Sequence, residues 1–254
     1  MIMTGSHDSV LVSISISIAV AASYTALDLA GRIRASEGWL RRVWLVTAAI
    51  AMGGGIWAMH FVAMLAFSMP GMAVGYDVEL TIVSLLVAIV VTGAGFAVMG
   101  RSRGAAGPLL VAGIFMGLGI VAMHYIGMAA MQMPAALSYD RLWLAISVLI
   151  AVGAATAALW LASRESHHFV RFGAAAVMGA AIAGMHFSGM RAAIFTIAPG
   201  FDMARGASGA SQSMLAIGVS AAAFLILFLS LIAAMFDRRF ALLVQREANA
   251  LRQS

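Results

Sequence analysis

The 254-residue chain has no cysteine and no lysine, and only 10% of its residues are charged. Without cysteine there are no thiolate metal sites, no disulfides and no thiol redox switch. All 15 basic residues are arginine, so a lysine Schiff base with a retinal-type aldehyde is excluded. So little charge beside 63% hydrophobic residues and a mean hydropathy of +1.01 marks an integral membrane protein. The formal net charge of +5 reflects topology and not nucleic-acid binding, because most arginines sit in short loops beside apolar runs.

A hydrocarbon core of about 30 Å needs roughly 20 apolar residues per helix. Seven segments meet that need, at about residues 10–29, 43–67, 80–99, 109–131, 142–162, 173–197 and 214–236. The stretch before the first has no positive charge and carries His7 and Asp8, so it reads as the lead into a helix and not as a signal peptide. Twelve of the 15 arginines fall on one side of this arrangement, among them Arg32, Arg34, Arg41, Arg42, Arg164 and Arg171. The other side holds Arg141, Arg191 and Arg205 with Asp77, Glu79, Asp140 and Asp202. The positive-inside rule then puts the N-terminus outside and the C-terminus in the cytoplasm of a cell inner (plasma) membrane protein.

One motif recurs three times: Met-Gly, five residues, Met-His-aromatic, two residues, Met. It is written by Met52, Gly53, Met59, His60, Phe61 and Met64, by Met116, Gly117, Met123, His124, Tyr125 and Met128, and by Met178, Gly179, Met185, His186, Phe187 and Met190. The spacing predicts an all-α, seven-transmembrane-helix bundle built from three two-helix repeats, about 43–100, 109–165 and 173–236, plus one extra helix. Repeats of two helices keep one orientation, so the three motifs should meet at one depth, roughly 10 to 15 Å below the outer surface. Met69-Pro70 and Met133-Pro134 end the first two copies at the same offset from His, and Pro199 ends the third a little later.

On a helix, Gly53, His60 and Met64 share a stripe, as do their counterparts, and glycine on that stripe points it at neighbouring helices. The candidate metal ligands are therefore His60, His124 and His186 with Met59, Met64, Met123, Met128, Met185 and Met190. Imidazoles and thioethers form a soft, neutral set suited to copper, and zinc without thiolate or carboxylate is a poorer match. Three other readings stay open: haem held by two of the histidines, a copper transporter using methionines as steps, and packing with no ligand. Elsewhere, Asp28 and Arg32 read as an i,i+4 pair at the cytoplasmic interface. Arg191 reads as an arginine reaching for the outer surface, and His167 and His168 as loop residues. The tail 238–254 carries Ala241, Val244, Ala248 and Leu251 at heptad-like spacing, a cytoplasmic helical stalk suited to a homodimer or to a surface helix.

At these residues the chain resembles the MHYT family of bacterial membrane sensors. The resemblance lies in Met59-His60-Phe61, Met123-His124-Tyr125 and Met185-His186-Phe187, and in Ser23-Tyr24-Thr25-Ala26-Leu27-Asp28-Leu29 of the first helix. None of the three copies has the threonine of the family name. The resemblance implies a seven-helix sensor domain over about residues 1–237 that is not itself an enzyme. It further implies copper held near the outer face by the motif His and Met, and a diatomic gas ligand, oxygen, carbon monoxide or nitric oxide. A cytoplasmic PAS, diguanylate cyclase or phosphodiesterase output completes what the family implies.

Overall fold

The computed structural model describes residues 5–69, 74–102, 105–133, 135–164, 167–196, 210–224 and 228. Six long helices run through them: α1 Ser9–Ala35, α2 Gly38–Ala66, α3 Val78–Ser102, α4 Ala106–Ala129, α5 Arg141–Ala162 and α6 His168–Ala192. The shortest has 22 residues, about 33 Å of helix, so all six are long and apolar enough to cross a bilayer. Their outward faces carry Val90, Val111, Leu149 and Val177, each more than 60% exposed, as a surface turned to lipid requires. The chain is thus an all-α multi-pass membrane protein. A shorter apolar helix, α7, spans Gln212–Phe224. The rest of the expected seventh span, the tail 238–254, Pro70, Pro134 and Pro199 lie outside the described residues.

The six helices close into a ring in which α1 packs on α2, α2 on α3, and so on to α6, which packs back on α1. The histidine helices α2, α4 and α6 alternate with α3, α5 and α1 around it. The first helix is therefore no appendage to three sequential repeats. It occupies beside α6 the place that α3 takes beside α2 and α5 beside α4. Glycines of the motif record this equivalence. A Cβ on Gly53 would strike the backbone of Ala88 and Ile89 in α3, one on Gly117 that of Val152 in α5, and one on Gly179 that of Val20 in α1. Each glycine lets an outer helix lie directly on a histidine helix.

Short strands clasp one end of the ring: β1 Ser6–His7 with β2 Phe67–Ser68, β3 Gly75–Tyr76 with β4 Met131–Gln132, and β5 Ala136–Tyr139 with β6 Ala193–Thr196, all antiparallel. A seventh, β7 Ala210–Ser211, adds to β3. Directly after β1, β3 and β5 stands an aspartate. The N–H groups of Asp8, Asp77 and Asp140 donate to the carbonyls of Ala66, Ala130 and Ala192 at 2.9, 2.8 and 2.8 Å. Their carboxylates accept from the first-turn amides of α1, α3 and α5, which satisfies donors that a helix start leaves open. Seven residues into each helix a fully buried serine, Ser15, Ser84 or Ser147, donates to the carbonyl three residues back at 2.7 Å. This threefold pattern fixes all three histidine helices at the same height.

Candidate metal centre

The common height brings His60, His124 and His186 together on the ring axis, each essentially without solvent exposure. The Nδ1 atom of His60 lies 3.0 Å from that of His186 and 3.1 Å from that of His124. One ring nitrogen from each of the three lies within 4.8 Å of the others, and the ring centroids are 4.9, 5.0 and 5.2 Å apart. The rings meet edge to face, at interplanar angles of 75° to 89°.

The three cannot satisfy one another. A neutral imidazole nitrogen is either a donor or an acceptor. The Nδ1 of His60 therefore shares one proton between two neighbours, or offers one lone pair to two donors. The Nε2 atoms of all three are buried with no hydrogen-bond partner. Buried polar atoms are rarely left this way. A trigonal set of nitrogens at about 2.0 Å from one ion stands roughly 3.5 Å apart. The Nδ1 of His60 is already within half an ångström of that spacing from each of the other two, and all three residues offer a nitrogen within 4.8 Å of the others, so the residues fit a small cation by donor type, burial and convergence.

Outside the cluster the Nε2 edges rest on glycine. A Cβ on Gly127 of α4 would lie 2.3 Å from His60 Nε2, and one on Gly189 of α6 would lie 2.3 Å from His124 Nε2. Both glycines sit three residues past a motif histidine, where the α2 copy has Ala63. They are site residues that the motif's own glycines, Gly53, Gly117 and Gly179, overshadow in the sequence.

Among the methionines, Met59, Met64, Met123 and Met128 are fully buried, and Met185 and Met190 nearly so. The motif's leading methionines, Met52, Met116 and Met178, line with Met185 a cavity on the side of the histidines away from the clasp. Met52, Met116 and Met178 are not among the ligands expected from the motif.

The aromatic after each histidine packs edge-on against that histidine's ring and is covered from the clasp. Tyr76 lies 6.1 Å from Phe61, Tyr139 5.0 Å from Tyr125, and His7 5.8 Å from Phe187, between ring centroids. Two copies of the clasp thus place a tyrosine where the third places His7. Burial raises the Tyr76 phenol above its usual range. Burial, with Tyr125 adding to it, pushes Tyr139 up to about 12, and burial lowers His7 from its ordinary 6.5.

The other sequence candidates stand apart from the centre. Asp28 joins Arg32 at 3.1 Å and also Arg171 of α6, and Tyr24 reaches His168 at 3.4 Å. Arg191 lays its guanidinium over the ring of Trp143, 4.5 Å from the centroid, a cation–π contact.

Fold and site together define a multi-pass helical membrane protein built of repeated helix pairs around a buried tri-histidine cluster. Residues 53–112 and 117–175 match a family described as the bacterial signalling protein N-terminal repeat, MHYT. The chain belongs to the MHYT family. It is similar to MucR of Pseudomonas aeruginosa, a bifunctional diguanylate cyclase/cyclic di-GMP phosphodiesterase, at 43% identity over 242 residues, 93% of this chain and 35% of MucR. NbdA of the same organism, a cyclic di-GMP phosphodiesterase, is 41% identical over 207 residues, 79% of this chain and 26% of NbdA. The signaling protein YkoW of Bacillus subtilis is 32% identical over 200 residues, 74% of this chain and 24% of YkoW. The chain spans about a third or less of the length of these relatives. No solved structure matches it significantly.

Proposed function

We propose that this chain is the sensor part of a bacterial membrane signalling protein, a domain over residues 1–237, in which His60, His124 and His186 hold a copper ion near the outer face. Convergence of the His124 and His186 Nδ1 atoms on that of His60 in a fully buried cluster is the observation that carries this reading. The thioethers of Met59, Met64, Met123, Met128, Met185 and Met190 are further candidate donors in a soft ligand set. When bound, copper would supply a position for a diatomic gas, oxygen, carbon monoxide or nitric oxide. The chain's own residues orient the imidazoles, exclude water, and tie the centre to the helix ends through the clasp.

The chain itself is read as a sensor and not as an enzyme. The names of MucR and NbdA support a cytoplasmic output in cyclic di-GMP turnover, reached through the tail 238–254 and its homodimer-forming heptads. In this reading the N-terminus is outside the inner membrane and the C-terminus in the cytoplasm.

A single ion is favoured over haem by the ring spacing. Centroids about 5 Å apart around one point leave no width for a porphyrin plane between two histidines. Metal analysis after copper reconstitution, with an optical spectrum, tests the proposal. Wild type should retain stoichiometric copper and show no Soret band, and the His60→Ala, His124→Ala, His186→Ala triple variant should retain none. Equal copper in the two proteins would sink it.

A further inference from the structure

The threefold pattern breaks between α5 and α6, and a cavity lies there. Five residues before the motif histidine, α2 has Gly55 and α4 has Gly119, and each glycine receives an outer helix closely. A Cβ on Gly55 would lie 2.2 Å from the Ala22 methyl of α1, and one on Gly119 would lie 2.3 Å from Val91 of α3. The counterparts in the remaining pair are Ala181 of α6 and Ala154 of α5. Here the histidine helix carries a methyl where the others carry none, and the outer helix brings only another methyl to meet it. Both alanines line a cavity of about 20 Å³.

Its position and lining are specific. Ile56, Ile120 and Ile182, each four residues before a motif histidine, line it together with Met185, which directly precedes His186. The cavity therefore lies about one helical turn, ~6 Å, inward of the imidazoles. Every lining side chain is Met, Ile or Ala. A water needs about 10 to 15 Å³ and two to four polar partners, so this space is large enough for one small molecule and offers water nothing to bond. An apolar molecule loses no hydrogen bonds by entering such a space and is favoured there over water, whereas a lipid chain is far too large for it.

We propose that this cavity is a docking chamber for one apolar diatomic molecule, poised beneath the tri-histidine cluster and created by the Ala154 and Ala181 departure from the threefold pattern. This rests on the metal-centre reading for its purpose, though not for its existence. A resident gas molecule would reach the centre by one short step instead of by a fresh encounter from the bilayer.

The test uses xenon as a metal-independent probe and carbon monoxide as a metal-dependent one. The double variant Ala154→Val, Ala181→Gly copies the Val91 and Gly119 pair, a combination this fold already packs between α3 and α4. Wild type should take up one xenon per chain, by xenon NMR, with or without copper, and the double variant should take up none. Carbon monoxide association with the cuprous protein, followed by its infrared stretch, should slow at least about tenfold in the double variant at equal copper content, as expected for a net gain of one methyl in an apolar pocket. Wild type without xenon uptake, or a double variant that keeps the wild-type carbon monoxide rate, overturns the chamber. Xenon uptake by a protein that never retains copper upholds the chamber and overturns the metal centre instead.

Discussion

Replacing Gly127 with alanine perturbs the centre without replacing a candidate ligand. The added Cβ would lie 2.3 Å from His60 Nε2 and 2.9 Å from its Cδ2, about 1 Å inside ordinary contact. The ring cannot swing freely, because its Nδ1 edge is already 3.0 and 3.1 Å from two other imidazoles. Overpacking of this kind costs about 1 to 3 kcal/mol, against which the helix propensity of alanine over glycine returns about 1 kcal/mol. The net loss of stability is therefore modest, on the order of 1 kcal/mol. Copper affinity should suffer more, by roughly 10- to 100-fold, since displacing a supporting group misaligns the ligand it orients. Chelator competition with copper measures the affinity, and thermal unfolding in detergent measures stability. Gly153→Ala and Gly184→Ala are the controls, because nothing lies within 4 Å of a Cβ at either position, and both should leave copper binding unchanged. If Gly127→Ala binds copper as tightly as these controls, the idea that Gly127 seats the His60 ring is refuted.

Two further outcomes are expected. Burial holds the His7 imidazole below its ordinary 6.5, so the unfolded chain takes up the proton first as the pH falls; His7 then makes the clasp less stable from about pH 6.5 downward, until its lowered folded-state value is reached. His7→Tyr, which installs the residue found at Tyr76 and Tyr139, should flatten that part of a melting-temperature profile, and an unchanged profile would refute the assignment. Asp28→Asn removes the carboxylate that joins Arg32 and Arg171 across α1 and α6, and should cost roughly 1 to 2 kcal/mol, in the range of hydrogen bonds to charged groups. Thermal unfolding of Asp28→Asn, Arg171→Ala and the double variant reads the coupling, which would vanish if the bridge contributes nothing.

The histidines were legible because their chemistry is rare inside a membrane helix, and their spacing alone required one depth. The structure brings His124 and His186 each within hydrogen-bond distance of His60. The six long helices were equally plain, since apolar length is a direct reading of bilayer thickness. The role of α1 was hidden, because the Met-His motif marks only the inner member of each pair and α1 is an outer member. A signal for it exists: an aspartate followed seven residues later by serine, Asp8 and Ser15, recurs at Asp77 and Ser84 and at Asp140 and Ser147. Aspartate and serine near a helix start are too common to draw notice without the ring to connect them. Gly127 and Gly189 escaped for a similar reason. In an apolar helix glycine reads as helix packing, and only the facing imidazole distinguishes a seat for a ring from a seat for a helix.

The place of α1 bears on how the protein is made. Every other neighbouring pair in the ring is consecutive along the chain, but α1 ends at Ala35 and its partner α6 begins at His168. As the ribosome emits the helices in order, α1 must wait in the bilayer with one flank unmatched until the last member of the ring arrives. His186 arrives with that same helix. The third imidazole and the closing joint are thus delivered together, so the nascent chain has no completed centre that could capture a metal before the ring shuts.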